Sequence, residues 1–89
     1  MDRAGAQLTA AGATRVVTRI LGDLGKADVQ SVRSEKVGHG PSTWAIRTRV
    51  DLATWHTDND RDDIIRAIKR IPGYEDHTTF GKSLSFRFR

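Results

Sequence analysis

The sequence predicts an α+β domain: two amphipathic helices on one face of a small, mostly antiparallel sheet, with elements in the order α-β-β-α-β. Three observations predict it. Apolar residues recur at three- and four-residue steps over two separate stretches, near 9–24 and 61–70. Strict alternation of apolar and polar residues runs from Thr43 to Leu52, the period of a strand with one buried face. A second alternating segment closes the chain. Helices and strands with one apolar side each must bury those sides against one another, which gives a two-layer domain.

Met1–Gln7 carries no periodic signal, so residues 1–8 are expected to be a flexible terminus and residues 9–89 a single domain. From about Thr9, Ala13, Val16, Val17, Ile20, Leu21 and Leu24 form one stripe, with Arg15, Arg19 and Asp23 opposite. Gly25 supplies the left-handed residue that stops the helix, with Lys26 beside its negative pole. Gly12 and Gly22 each cost about 1 kcal/mol relative to Ala, so this helix depends on tertiary packing. Asp28–Val37 alternates poorly and is charged, the signature of an edge strand. Gly38-His39-Gly40-Pro41-Ser42 is the turn that makes it a hairpin with the next strand.

In that next strand Trp44, Ile46, Thr48, Val50 and Leu52 alternate with Thr43, Ala45, Arg47, Arg49 and Asp51. Ala53–Asn59 is a loop. The second helix is expected from Arg61 to Arg70, with Asp60 as its N-cap and Asp62 and Asp63 in its first turn. Ile64, Ile65, Ile68 and Ile71 form its stripe, and Pro72-Gly73 ends it. In the last segment Phe80, Leu84, Phe86 and Phe88 face one way, with Lys82 interrupting the row. The expected form is one long strand bulged near Gly81; the alternative is a tight hairpin at Gly81-Lys82, which puts Phe80 on the face opposite Leu84 and Phe86.

The element order resembles the ferredoxin-like plan without its first strand. The Ile71-Pro72-Gly73-Tyr74 junction is similar to the helix-to-strand step of several such modules, including the BON domain of bacterial envelope proteins. The resemblance covers one tetrapeptide and an element order. A missing first strand would leave a sheet edge open, and homodimerisation through that edge is the expectation it carries.

Composition narrows the chemistry. Leu, Ile, Val and Phe supply 20 of 89 residues, just above the roughly 20% below which disorder is the better reading. The absence of Cys excludes disulfides, thiolate metal sites and a cysteine nucleophile. No apolar run is long enough for a membrane span or a signal-peptide core, so a soluble, cytoplasmic protein is expected. The net charge of +4, with eleven Arg to four Lys, favours polyanionic partners and forked contacts to phosphate or carboxylate.

Several motifs resolve into ordinary structure. Asp58-Asn59-Asp60-Arg61-Asp62-Asp63 opens like a calcium loop but has Asp63 where the turn needs Gly and Lys69 where a bidentate Glu belongs; helix capping explains it. The glycines of residues 38–43 lack the Gly-Lys-Ser/Thr ending of a phosphate loop and precede a strand. His39, His56 and His77 are unpaired in sequence and are expected on the surface. His77-Thr78-Thr79 matches the His-x-Thr signature of two-histidine phosphoesterases, which require two copies. No nucleophile and base can be paired, so no catalytic residue, metal or cofactor is expected, and the protein is read as a non-enzymatic binding domain.

One constellation remains. If Trp44, Ile46, Val50, Leu84, Phe86 and Phe88 pack against the helices, the opposite sheet face carries Arg47, Arg49, Arg87 and Arg89, with Arg33 at the edge. Such a face suits the phosphate backbone of nucleic acid, without the aromatic platforms that stack bases. The rival is a protein-interaction module, a compact accessory protein of phage-like composition. It would dock on an acidic protein surface or self-assemble, with Trp55 and Tyr74 as anchors. The two differ in what the arginine face should do: a nucleic-acid binder loses affinity steeply with salt and with each Arg removed, whereas a protein interface depends on a few apolar or aromatic anchors.

Overall fold

The structure, a computed structural model, describes residues 8–25, 28–38, 44–54 and 57–89. The expectations for Met1–Gln7, His39, Trp55 and His56 lie outside the described residues. Helix α1 (Ala10–Leu24) leads into strand β1 (Val29–Gly38) and β2 (Trp44–Leu52); helix α2 (Asp58–Ile68) leads into β3 (Tyr74–Phe80) and β4 (Ser83–Phe88). The fold is the expected small α+β one, with the helices on one face of a four-stranded antiparallel sheet ordered β1-β2-β4-β3.

Local signals account for the helix ends. The Thr9 hydroxyl accepts the Gly12 N–H at 3.0 Å, and Gly25 adopts φ 60° while its N–H returns to the Leu21 carbonyl at 3.1 Å. Helix α2 begins three residues earlier than expected. Its N-cap is Thr57, not Asp60: the Thr57 hydroxyl accepts the Asp60 N–H at 3.1 Å, which places Asp58 and Asp60 in the first turn. Both residue types can cap; with Thr57 in that place, the carboxylates of Asp58 and Asp60 complement the helix dipole.

The last segment corrects the preference for a single bulged strand. Gly81 takes φ 59°, the left-handed conformation glycine adopts at the head of a two-residue hairpin, and the chain doubles back so that Phe80 pairs with Ser83 and Thr79 with Leu84. Phe80 therefore lies on the face away from the helices and is 87% exposed. The hairpin also fills the position the ferredoxin-like plan assigns to its first strand: β4 runs between β2 and β3, antiparallel to both. The plan is complete with its first strand carried at the other end of the order, and the sheet ends on β1 and β3.

The core joins Ala13, Val17 and Leu21 of α1, Ile64 and Ile68 of α2, and Ile46, Val50, Leu52, Leu84, Phe86 and Phe88 of the sheet. Burying a side chain such as Phe86 or Phe88 contributes roughly 1.5–3 kcal/mol. Thr48, fully buried in this layer, shares a hydroxyl chain with α1, Thr14 to Ser34 to Thr48 with both links at 2.7 Å. Trp44 departs from its expected place in the core. Alternation places it on the helix side, yet Trp44 is 52% exposed, with the Lys36 ammonium 5.5 Å above its ring.

Candidate binding face

The face of the sheet away from the helices holds every arginine expected there. Alternation in β2 places Arg47 and Arg49 on it, alternation in β4 places Arg87, and pairing sets Arg33 opposite Arg49 and Arg47 opposite Arg87. Arg89 follows β4 on the same side, reaching Glu75 at 3.6 Å. Read across the strands from β1 to β3, the rows are Ser31-Asp51-Ser83-Phe80, then Arg33-Arg49-Ser85-Thr78, then Glu35-Arg47-Arg87-Asp76. The strands lie about 4.8 Å apart, so each row is continuous.

A set of carboxylates stands between the arginines, together with Ser and Thr side chains. Glu35 accepts from the Nε and Nη2 of Arg47. Asp51 accepts from Arg49 Nε at 3.0 Å and lies 3.8 Å from Arg33. Arg87 sits between Asp76, at 2.5 Å, and Glu75, 3.1 Å from its Nε, with both of these last atoms shielded from solvent. Five guanidinium groups against four carboxylates leave this face one net positive charge.

Asp51 organises the centre of the array. Its side chain is only 18% exposed and accepts the Ser83 hydroxyl at 2.6 Å and the Ser31 hydroxyl at 3.1 Å in addition to Arg49. The Ser83 hydrogen bond, then the Arg49 and Ser31 hydrogen bonds and the Arg49 charge, hold its carboxyl below the usual aspartate range, against a partial burial that works the other way. A fixed carboxylate here keeps Arg33 and Arg49 together although like charges directly opposite on neighbouring strands repel. Between Arg33, Arg47 and Arg49 a shallow concavity of about 460 Å³ opens, lined also by Ser34, Glu35 and Ser85.

Of the expected protein anchors, Trp55 lies outside the described residues and Tyr74 falls elsewhere. Tyr74 is half-buried, its ring edge-on to Phe88 at 6.5 Å, and its hydroxyl meets His77 Nδ1 at 2.5 Å. Burial, and secondarily the Asp76 charge, push the Tyr74 hydroxyl above the ordinary tyrosine range. His77 is likewise no free surface histidine: it is half-buried, with its ring 6.1 Å from Phe86. Among the described residues the exposed aromatics are Phe80, at the β3 end of the face, and Trp44, on the helix side. Phe80 was accessible to sequence reasoning through the hairpin alternative. The carboxylate array was accessible in part, since Asp51 alternates with Arg47 and Arg49.

Among the described residues no three His, Asp or Glu side chains converge as metal ligands, and no helix is long and apolar enough to cross a membrane. Compared with protein-family models, curated proteins and solved structures, the chain finds no match.

Proposed function

We propose that the protein is a non-enzymatic protein-interaction module whose open sheet face docks on a partner surface of mixed but net acidic charge. The observation that carries this reading is the array of five arginines interleaved with Glu35, Asp51, Glu75 and Asp76. A polyanion approaching this face meets four carboxylates and must displace one for nearly every guanidinium it gains, whereas a protein surface can answer both signs. The arginines are already held by their partners, which lowers the entropy lost on binding. Arg and exposed aromatic residues are also the usual energetic anchors of protein interfaces, and Phe80 lies at the margin of this face. Pairing of two copies through an edge strand, β1 or β3, belongs to the same reading.

A second reading, binding of the nucleic-acid backbone, is favoured by one observation. The row Arg33-Arg49-Ser85-Thr78 contains two guanidinium groups and two hydroxyls and no acid.

Two measurements separate the readings. Affinity capture from the cell of origin compares wild type with Phe80→Ala and with Arg49→Ala, and sedimentation of the purified protein reads self-association. A partner, or a second copy, retained by wild type and lost in both variants supports the interaction module; the same partners with all three proteins overturn the open face as the interface. Fluorescence anisotropy with labelled duplex DNA and single-stranded RNA is measured at 50 and 200 mM salt. Micromolar binding that collapses at the higher salt and is lost in Arg33→Ala with Arg49→Ala would shift the assignment to nucleic acid.

A further inference from the structure

We propose that the concavity between Arg33, Arg47 and Arg49 is a receptor for one phosphomonoester dianion, carried on a phosphorylated side chain of the protein partner. This rests on the open face being the partner-binding face.

The donors at the notch point to a phosphate. Three guanidinium groups line it together with Glu35 and Ser85, and with Asp51, which pairs with two of them, the local excess is one positive charge. Arg33 and Arg49 are directly opposite on neighbouring strands, and the carboxylate bridging them, Asp51, lies one row away at 3.8 and 3.0 Å. Asp51 engages Arg49 through Nε alone, and the Arg33 side chain is 74% exposed. A guanidinium carries five N–H donors in a planar fork, so these two residues keep donors for a tetrahedral oxyanion. A phosphoserine bears about −1.5 to −2 charges at pH 7 and three acceptor oxygens. It offers these donors three oxygens and more charge than a carboxylate, which presents two oxygens and a single charge.

The surroundings limit the ligand to an isolated phosphate. The next rows lie about 7 Å away along the strands, and both carry acid: Asp51 on one side, Glu35 and Asp76 on the other. A second phosphate of a nucleic-acid strand would meet a carboxylate in either row, beside Arg47 and Arg87 in one of them.

The test is a nuclear magnetic resonance titration of the isotope-labelled protein at constant ionic strength and pH 7.5, following backbone amides and arginine Nε–H signals. The probes are the peptide Gly-Gly-phosphoSer-Gly-Gly, its unphosphorylated form, its Glu analogue, and a twelve-nucleotide single strand. The expected result is saturable binding of the phosphopeptide, centred on Arg33, Arg49 and Ser85 and tighter than for the Glu analogue. It should weaken by about tenfold or more in Arg33→Gln and in Arg49→Gln, the usual effect of losing a charge-assisted hydrogen bond. Arg66→Gln, on α2, should bind as wild type does. Phosphopeptide shifts no larger than those of the Ser peptide, or shifts that persist in both glutamine variants, overturn the proposal. So does an oligonucleotide that outcompetes the phosphopeptide at the same residues.

Failure here is distinguishable from failure of the interaction reading. Phe80 stands at the opposite edge of the sheet, three strands from Arg33. Phe80→Ala should leave peptide binding intact while losing the partner. A Phe80-dependent partner without phosphopeptide binding sinks the notch alone.

Discussion

Replacing Asp51 with Ala removes the acceptor shared by Ser31, Ser83 and Arg49 and leaves Arg33 facing Arg49 across the β1–β2 pair without a counter-charge. Hydrogen bonds to a charged group contribute about 1.5–3 kcal/mol when well shielded. Arg49 and Arg33 are more than half exposed, however, so their ion-pair share is discounted to below about 1 kcal/mol. The two serine hydroxyls, part-buried with the carboxylate, supply most of the remainder, and a net loss of about 2 kcal/mol results. In a domain of this size that corresponds to a fall in Tm of about 8–16 °C. The pH dependence has a definite sign. The carboxyl is held below its ordinary range in the folded state, so its stabilisation is complete above the unfolded-state value near 3.9 and is lost as pH falls through the folded value. Urea denaturation of wild type and Asp51→Ala at pH 7 should differ by the full amount, and the difference should shrink in acid as pH falls through the folded-state value. A difference at pH 7 below about 0.5 kcal/mol, the range of ordinary surface substitutions, or one that persists unchanged in acid, refutes the assignment of Asp51 as the organiser of this face.

Three further outcomes are expected. Gly73 holds φ 95°, and a Cβ there would stand 2.7 Å from the Arg89 carbonyl oxygen; Gly73→Ala should cost about 2 kcal/mol or more in urea denaturation through backbone strain and that clash. Phe86→Ala empties a fully buried site and should cost about 3–5 kcal/mol, enough to leave a domain of this size partly unfolded by circular dichroism at 37 °C. Phe80→Ser should change the urea midpoint by less than about 0.5 kcal/mol equivalent, because the ring is 87% exposed, while raising solubility at high protein concentration.

The parts of the fold legible in the sequence were those set by local periodicity. The apolar stripe of α1 and the alternation of β2 each fix a face, and with Gly25 and Pro72-Gly73 as stops the two-layer plan follows. The last hairpin was ambiguous because Phe80, Leu84, Phe86 and Phe88 keep the same parity through Gly81-Lys82, so alternation alone favours a continuous strand; only the left-handed φ of Gly81 reverses the chain. Periodicity put Trp44 on the helix side but carries no measure of how fully a position on that side is covered. The sharing of one face by Arg33, Arg47, Arg49, Arg87 and Arg89 follows from alternation plus strand order. Their acidic neighbours depend on register, which the irregularities between Val29 and Ser31 and between Tyr74 and Asp76 shift without any sequence signal of their own.

The interior position of β4 has a consequence for how the molecule is made. Of the six elements it is the last to leave the ribosome, yet it is the strand that joins the β1–β2 pair to β3. Until Ser83–Phe88 emerges, the β1–β2 hairpin has a bare inner edge at β2 and β3 has no neighbour at all. At about 5–20 residues per second, synthesis is slow enough for a nascent chain to settle what it can, but here the sheet cannot close early. Closure of the sheet therefore waits on Ser83–Phe88, and the unpaired inner edge of β2 is the surface that must be kept from other chains in the meantime.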